Sequence, residues 1–487
     1  MDKKKYVVAI DVGTSEVVIA IGSIAEEGTV NIETIVAEPC EGMKAGLVDN
    51  SQMVTDSLRR ARARAEQETG IVITDADVTI SGKFVRCAHY TDHVFVQDKE
   101  ACIAQHDVNA LRERMRSVKS ADGETIMDYY PVTYKGTSGV EMKNPVGCYS
   151  PQLSSTYNFI LCEHMAKDRL LRVFMGAGIK IRNLYAGAAV IAESVINSDE
   201  KEEGVAVVDI GSGVTDIAIY YGGVLRYLAT IPMGGAVVNS DIRAYAGTIP
   251  AKTVETLKRR YGSAMVELTP DEKIEIHSGS RAIKPIQRLN LATVIEARMS
   301  EIAEYVWAEI REAGFAKKLA AGIVLTGGGA ALDHIADLFQ KITSQDVRVA
   351  CAEMSIATES LDKVSSPNLT MAISLLLRGA KEGACPVREL QSPAPSPTST
   401  QTSIKNEPKQ VATVPETTTP TPTQQPAVEP DEIQDNDDKW YDDEIKDDED
   451  DDVTPKSRGI WGWFKDKLDG AFKPDEGFEN GDEEEKW

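Results

Sequence analysis

Apolar and β-branched residues open the chain in two short runs around a tight turn, "VAIDVGTSEVVIAI" from Val8 to Ile21. The pattern returns nearly 200 residues later as "VVDIGSGVTDIAI", Val207 to Ile219. Superposed, Asp11 matches Asp209 and Gly13 matches Gly211, and each copy predicts a strand, a glycine-containing turn and a second strand. Repetition at this distance predicts two similar α/β domains facing one another.

Beyond the second copy, Gly222-Gly223 marks a hairpin turn into a strand from Val224 to Ile231, followed by the glycine pair Gly234 and Gly235. "AKTVETLKRRYG" predicts a helix ended by Gly262. Val294, Ile295, Met299, Ile302, Val306 and Ile310 recur at helical spacing and predict a long amphipathic helix closed by Gly314. "GIVLTGGGAALDHIADLF" predicts a strand from Ile323 to Leu325, a turn at Gly327, Gly328 and Gly329, and then a helix. Open α/β sheets hold their ligands at such turns, at the carboxyl ends of strands. The stretch from Phe84 to His164 alternates short strands with turns around one polar helix near Asp107 to Val118, and predicts a small α+β subdomain inserted into the first half.

Composition changes at Gln391. Pro/Thr/Ser-rich and then acidic sequence buries too little apolar surface to offset its conformational entropy, so 391–455 is expected to be a flexible linker. As flexible coil, its about 65 residues span on the order of 45 Å. It carries 17 acidic residues against 4 basic ones, for −13; Lys456 to Lys473 carries +3 and Pro474 to Trp487 −6. Of the total charge of −24, only −8 therefore remains for residues 1–390, and no nucleic-acid partner is expected. Seven cysteines show no CxxC spacing, which argues against a zinc site or a disulfide framework and for a reducing cytoplasm. Asp11 interrupts the N-terminal apolar run, so no signal peptide is expected, and no segment reaches the roughly 18 apolar residues of a membrane span.

The paired turns carry the chemistry. A nucleoside triphosphate with its metal requires backbone N–H groups near the phosphates, hydroxyls, and carboxylates for a hydrated cation. Asp11, Gly13, Thr14 and Ser15 supply these in the first turn, and Asp209, Gly211, Ser212, Gly213, Thr215 and Asp216 in the second. Asp11 and Asp209 are expected to meet across a cleft near Mg²⁺, through its waters. A buried Asp capping a hairpin is the plain alternative for one copy alone; two matched copies and a later GGG turn favour nucleotide binding. No GxxxxGK[ST] motif occurs, and the strand after Gly213 excludes a dinucleotide-binding fingerprint.

Near the end, Ile460, Trp461, Phe464, Leu468 and Phe472 share one helical face, Trp463 lies at its edge, and Lys465 and Lys467 lie opposite. Aromatic residues at headgroup depth with lysines beside anionic lipid predict an interfacial membrane helix. A protein-docking helix is the alternative. One such helix binds lipid weakly, so stable attachment requires several copies in one assembly.

The turns "DVGTS" and "DIGSGVTD" with "GIVLTGGGAAL" resemble the actin, sugar-kinase and chaperone-ATPase superfamily. "VTISGKFV", "NPVGCYSPQL", "VVDIGSGVTDIAIYYGGVLRYLATIPMGGAVVNSDI" and "LATVIEARMSEI" narrow the resemblance to the FtsA family of bacterial cell-division proteins, over about residues 5 to 380. The resemblance implies a two-lobed actin-like α/β fold, duplicated RNase H-like domains around a nucleotide cleft with an inserted subdomain. It implies ATP and Mg²⁺ as ligands, self-assembly into filaments, attachment to the inner face of the cytoplasmic membrane at the division site, and the FtsZ tail and other division proteins as partners. Gly327 to Gly329 then lie against the adenosine, Gly234 and Gly235 approach phosphates or ribose, and Glu255 and Lys258 are nucleoside contacts. Arg288 and Arg298 are candidates for pairing with the acidic FtsZ tail.

The resemblance also implies a division of the chain: first lobe at 1–83 and 165–203, insertion at 84–164, second lobe at 204–233 and 300–364 with a partner-docking subdomain at 234–299. A return helix to the first lobe follows at 365–390, then the linker, the membrane helix at 456–473 and an acidic tail at 474–487. Two departures stand out. Glu16 occupies a place where many relatives carry Lys, and "NLYAGAAVIAES" offers no acid before Glu193 to orient an attacking water. At most slow ATP hydrolysis is therefore expected. A small-molecule kinase of the same superfold remains the rival reading.

Overall fold

Continuous apolar runs rich in Val and Ile make strands that are buried on both faces. Tyr6–Val12 and Val205–Ile210 are such strands, each at the centre of a five-stranded sheet. The computed structural model describes residues 4–25, 28–247, 249–278, 281–353 and 356–389.

The first sheet runs in the order Lys180–Ala186, Asp75–Ile80, Tyr6–Val12, Glu16–Ile24, Val30–Pro39. The second runs Val347–Val349, Ile323–Thr326, Val205–Ile210, Thr215–Tyr221, Val224–Ile231. Both comprise an antiparallel meander of three strands continued by two parallel ones. The duplication expected from two turns thus extends to the whole connectivity of two lobes.

Helices cover each sheet. Ser51–Thr69 starts where Asn50 Oδ1 accepts the Gln52 and Met53 N–H groups at 3.1 and 3.2 Å. Thr370–Lys381 returns to the first sheet from the far end of the described chain and buries Ile373, Leu375 and Leu376. Arg288–Glu312 fills the second lobe with Ile295, Met299, Ile302, Val306 and Ile310, all without exposure. The segment between the first sheet's Asp75–Ile80 and the helix His164–Gly176 forms its own four-stranded sheet, ordered Glu141–Met142, Glu124–Lys135, Gln152–Glu163, Val85–Phe95. It encloses a separate core of Leu111, Met115, Leu153 and Tyr157.

Several boundaries differ from the sequence reading. The polar helix spans Gln105–Arg116, because the Asp107 carboxylate accepts the Ala104 N–H at 2.9 Å from inside the first turn. The long helix begins three residues before its first buried apolar position, at Arg288. After the GGG turn comes a 3₁₀ turn, Gly328–Ala331, and the helix starts only at Ile335. The hairpin Lys273–Ser278 with Arg281–Gln287 went unpredicted. The proposed membrane residues Ile460, Trp461, Trp463, Phe464, Lys465, Lys467, Leu468 and Phe472 lie outside the described residues. Among the described residues no helix is long and apolar enough to cross a membrane.

Candidate functional site

Each repeated turn closes through the same backbone bond. Gly13 N–H donates to the Glu16 carbonyl at 3.0 Å, and Gly211 N–H to the Val214 carbonyl at 2.9 Å. The strands on either side pair Asp11 with Val18 and Asp209 with Asp216. The two turns also meet: a Cβ added at Gly213 would collide with the Thr14 hydroxyl, so only glycine lets the lobes approach here. Asp11, Gly13 and Thr14 line one wall of the resulting cleft, and Asp209, Gly211, Ser212, Gly213 and Asp216 the other, with Thr79 beside them. Ser15 is exposed at the mouth.

Three carboxylates converge in this cleft. Burial pushes Asp11 up to about 6; the Thr79 hydroxyl, which donates to Asp11 Oδ1 at 2.7 Å, works against that, and the Glu16 charge adds to it. Asp216 is likewise raised by burial to about 6, although the Thr230 hydroxyl donates to it. Asp209 stands well above the usual carboxylate range because it is buried and faces the charges of both Asp216 and Asp11. Such a cluster gains from a cation. Among the described residues no three acidic, histidine or cysteine side chains form a group that could hold a metal ion directly.

The remaining glycines connect to the second turn. Gly235 N–H donates to the Gly211 carbonyl at 2.9 Å and Ala236 N–H to the Ser212 carbonyl at 2.8 Å, which sets the helix Gly235–Ala246 directly behind that turn. Gly234 precedes its first residue. The Lys258 ammonium donates to the Gly235 carbonyl at 3.0 Å and pairs with Glu255 at 2.9 Å, while Asn239 Nδ2 donates to Glu255 at 2.6 Å. Burial lowers the Lys258 pKa against the pull of Glu255. Burial also acts to raise Glu255, but Lys258 outweighs it and holds the carboxyl below its usual value. Gly327 has φ +83°, and a Cβ there would strike Asp209 Oδ1; Gly329 packs on Ile210, and Gly328 faces Asn368. The GGG turn therefore backs the Asp209 strand.

Three expectations change. Thr215 is fully buried and its hydroxyl donates to the Met233 carbonyl at 2.9 Å, so it pins the second turn from behind instead of lining the cleft. Arg288, expected to await an acidic partner, gives its donors to the Tyr261 carbonyl, Glu272 and Asp333 at 3.1, 2.8 and 3.0 Å. Arg298 is held by Asp241 at 2.6 and 3.1 Å and by Glu301. Carboxylates of the protein's own fold satisfy both guanidiniums, Glu301 from the next turn of the same helix and the others from farther along the chain. Glu193 pairs with Arg378 at 2.8 Å and Lys381 at 3.0 Å, and the first turn of its helix, Gly187–Val195, carries no acid.

Sequence reasoning missed Thr79 and Asn368: only the fold brings the first to Asp11 and the second against Gly328, and no local spacing signals them.

A family model described as "Cell division protein FtsA" matches residues 206–374. Cell division protein FtsA of Escherichia coli (strain K12) is 33% identical over 385 residues, covering 77% of this chain and 90% of its own length. The chain belongs to the FtsA family. The FtsA of Pseudomonas aeruginosa is 30% identical over 381 residues, covering 78% of this chain and 90% of that protein. The solved "PilM-PilN type IV pilus biogenesis complex" aligns with a TM-score of 0.52 at 15% identity, over 77% of this chain and 98% of that one, and shows the fold alone. An FtsA-family chain with this fold is an actin-like cell-division protein.

Proposed function

We propose that the cleft binds ATP with a hydrated Mg²⁺, and that this FtsA-family chain uses the nucleotide as a conformational ligand while polymerising at the cytoplasmic membrane and tying the FtsZ ring to it. The observation that carries the nucleotide reading is the approach of two matched glycine turns, Gly213 against Thr14, over the half-buried Asp11 and the buried Asp209 and Asp216. The turns offer backbone N–H groups and hydroxyls to phosphates, and the carboxylates offer acceptors to the waters of the cation. When bound, Mg²⁺ would neutralise phosphate charge; Asp11 and Asp209 are the residues that would hold it. The all-apolar opening of helix Gly187–Val195 and the commitment of Glu193 elsewhere support slow turnover.

Membrane attachment rests on the apolar face of Ile460, Trp461, Phe464, Leu468 and Phe472. A partner such as the FtsZ tail would dock on the subdomain 234–299, with Arg288 and Arg298 as the candidates that would exchange Glu272, Asp333 and Asp241 for acidic residues of the tail. Calorimetric titration with ATP, with and without Mg²⁺, tests the first part: Mg²⁺-dependent saturation at one site per chain is expected, and no heat with either form would overturn it. Liposome co-sedimentation of the full chain and of a truncation at Pro455 tests the second. A truncated chain that still pellets with lipid removes the anchor assignment.

A further inference from the structure

The two lobes repeat more than their turns. In the first, Ile10 pairs with Val78 in parallel register, so the next residues, Asp11 and Thr79, stand side by side, and the Thr79 hydroxyl donates to Asp11 Oδ1 at 2.7 Å. In the second, the parallel pair at the same place is Asp209 with Thr326, the last residue before the GGG turn. Residues paired across parallel strands point to the same face of the sheet. Thr326 therefore stands to Asp209 as Thr79 stands to Asp11.

The matching bond is not made. Thr326 is 0% exposed and its hydroxyl has no hydrogen-bond partner, and among the described residues no side chain donates to the Asp209 carboxylate. Asp216, the third carboxylate of the cleft, has the Thr230 hydroxyl. Asp209 Oδ1 lies instead against the Cα of Gly327, the residue after Thr326, where an added Cβ would stand 2.1 Å from it. A buried hydroxyl without a partner costs folding free energy, so its presence at the register position of Asp209 points to another state of the cleft in which it is used.

We propose that Thr326 is the positioning residue of Asp209 in the ligand-bound cleft: when a nucleotide and its hydrated cation bind, Asp209 turns off Gly327, accepts the Thr326 hydroxyl and keeps its other oxygen for the cleft. The inference rests on the nucleotide reading above. The first lobe holds its carboxylate before the ligand arrives, and the second lobe fixes its own only afterwards. Thr326 acts through Asp209 alone, since it is not among the residues that line the cleft.

Chemical denaturation and calorimetric titration of the full chain test this with Thr326→Val, which keeps the shape of the side chain and removes the hydroxyl. Without ligand, its denaturation midpoint is expected to equal or exceed that of the wild type, because the lost hydroxyl has no partner. Mg-ATP is expected to bind about tenfold more weakly, the loss of one hydrogen bond to a charged group. Thr79→Val is the reference: it breaks a bond already formed, so it lowers the midpoint without ligand as well. Thr326→Ser restores the hydroxyl and should return the Mg-ATP affinity to within about threefold of wild type. Added to Asp209→Ala, Thr326→Val should weaken binding no further, because its acceptor is gone. A lowered midpoint without ligand, an unchanged Mg-ATP affinity, no rescue by Thr326→Ser, or further weakening in the double variant would overturn the role of Thr326 and leave the nucleotide reading intact. Absence of Mg-ATP binding by the wild type and every variant would overturn both.

Discussion

The first and second turns share a backbone and differ in where they keep their charge. In the first, Asp11 lies opposite Val18 across the hairpin and receives the Thr79 hydroxyl, while the next carboxylate, Glu16, begins the second strand. In the second, Asp209 lies opposite Asp216, Val214 stands where Glu16 does, and the extra carboxylate is deep. Directly opposed like charges destabilise a strand pair. Burial raises both Asp11 and Asp209, and Asp209 also faces the charge of Asp216 directly across its hairpin, where Asp11 faces Val18. One duplicated scaffold therefore offers two inequivalent turns, the first with the single inner carboxylate Asp11 and the second with Asp209 and Asp216 facing each other.

The largest break in this comparison is Asp209→Asn. It removes the carboxylate that faces both Asp11 and Asp216, and we expect Mg²⁺-dependent ATP affinity to fall about 10–100-fold by calorimetry. Unchanged affinity would place the cation elsewhere. Asp216→Asn probes the deep charge without ligand. A carboxyl whose folded pKa is raised binds its proton more tightly in the folded chain, so it costs nothing below about pH 4, costs progressively more as pH rises, and costs its full amount above about 6. The variant should match wild type near pH 4 and be more stable by about 1–3 kcal/mol at pH 7 in chemical denaturation. A gap that narrows with rising pH would reverse the assignment.

Gly213→Val separates the turns by placing a side chain against Thr14, and should weaken ATP roughly tenfold or more while the second lobe stays folded. The smallest effect on the cleft belongs to Arg298→Ala. Losing the Asp241 and Glu301 pairs should cost about 1–2 kcal/mol in thermal stability, with nucleotide affinity unchanged.

How far the sequence discloses this site depends on distance along the chain. Asp11, Gly13, Asp209 and Gly211 stand out because the turn is local and occurs twice, with β-branched strands around it. The helix Arg288–Glu312 stands out through its apolar period, but that period is anchored only from Leu291, so the three residues before it carry no signal. The hairpin Lys273–Ser278 and Arg281–Gln287 alternates apolar residues over too few positions, with Pro285 interrupting the second strand. Thr79 reaches Asp11 from 68 residues away along the chain. Partners of that kind leave no mark in spacing, which is also why Arg288 and Arg298 read as open charges when Glu272, Asp333 and Asp241 already hold them.

The central claim is that both turns grip one ligand. Hydrogen exchange of the full chain, titrated with Mg-ATP, tests it most directly by following the amides of residues 13–16 and 211–214 together. Protection of both turns with the same half-saturating concentration is the result expected. Protection of one turn alone, or of neither, would contradict it.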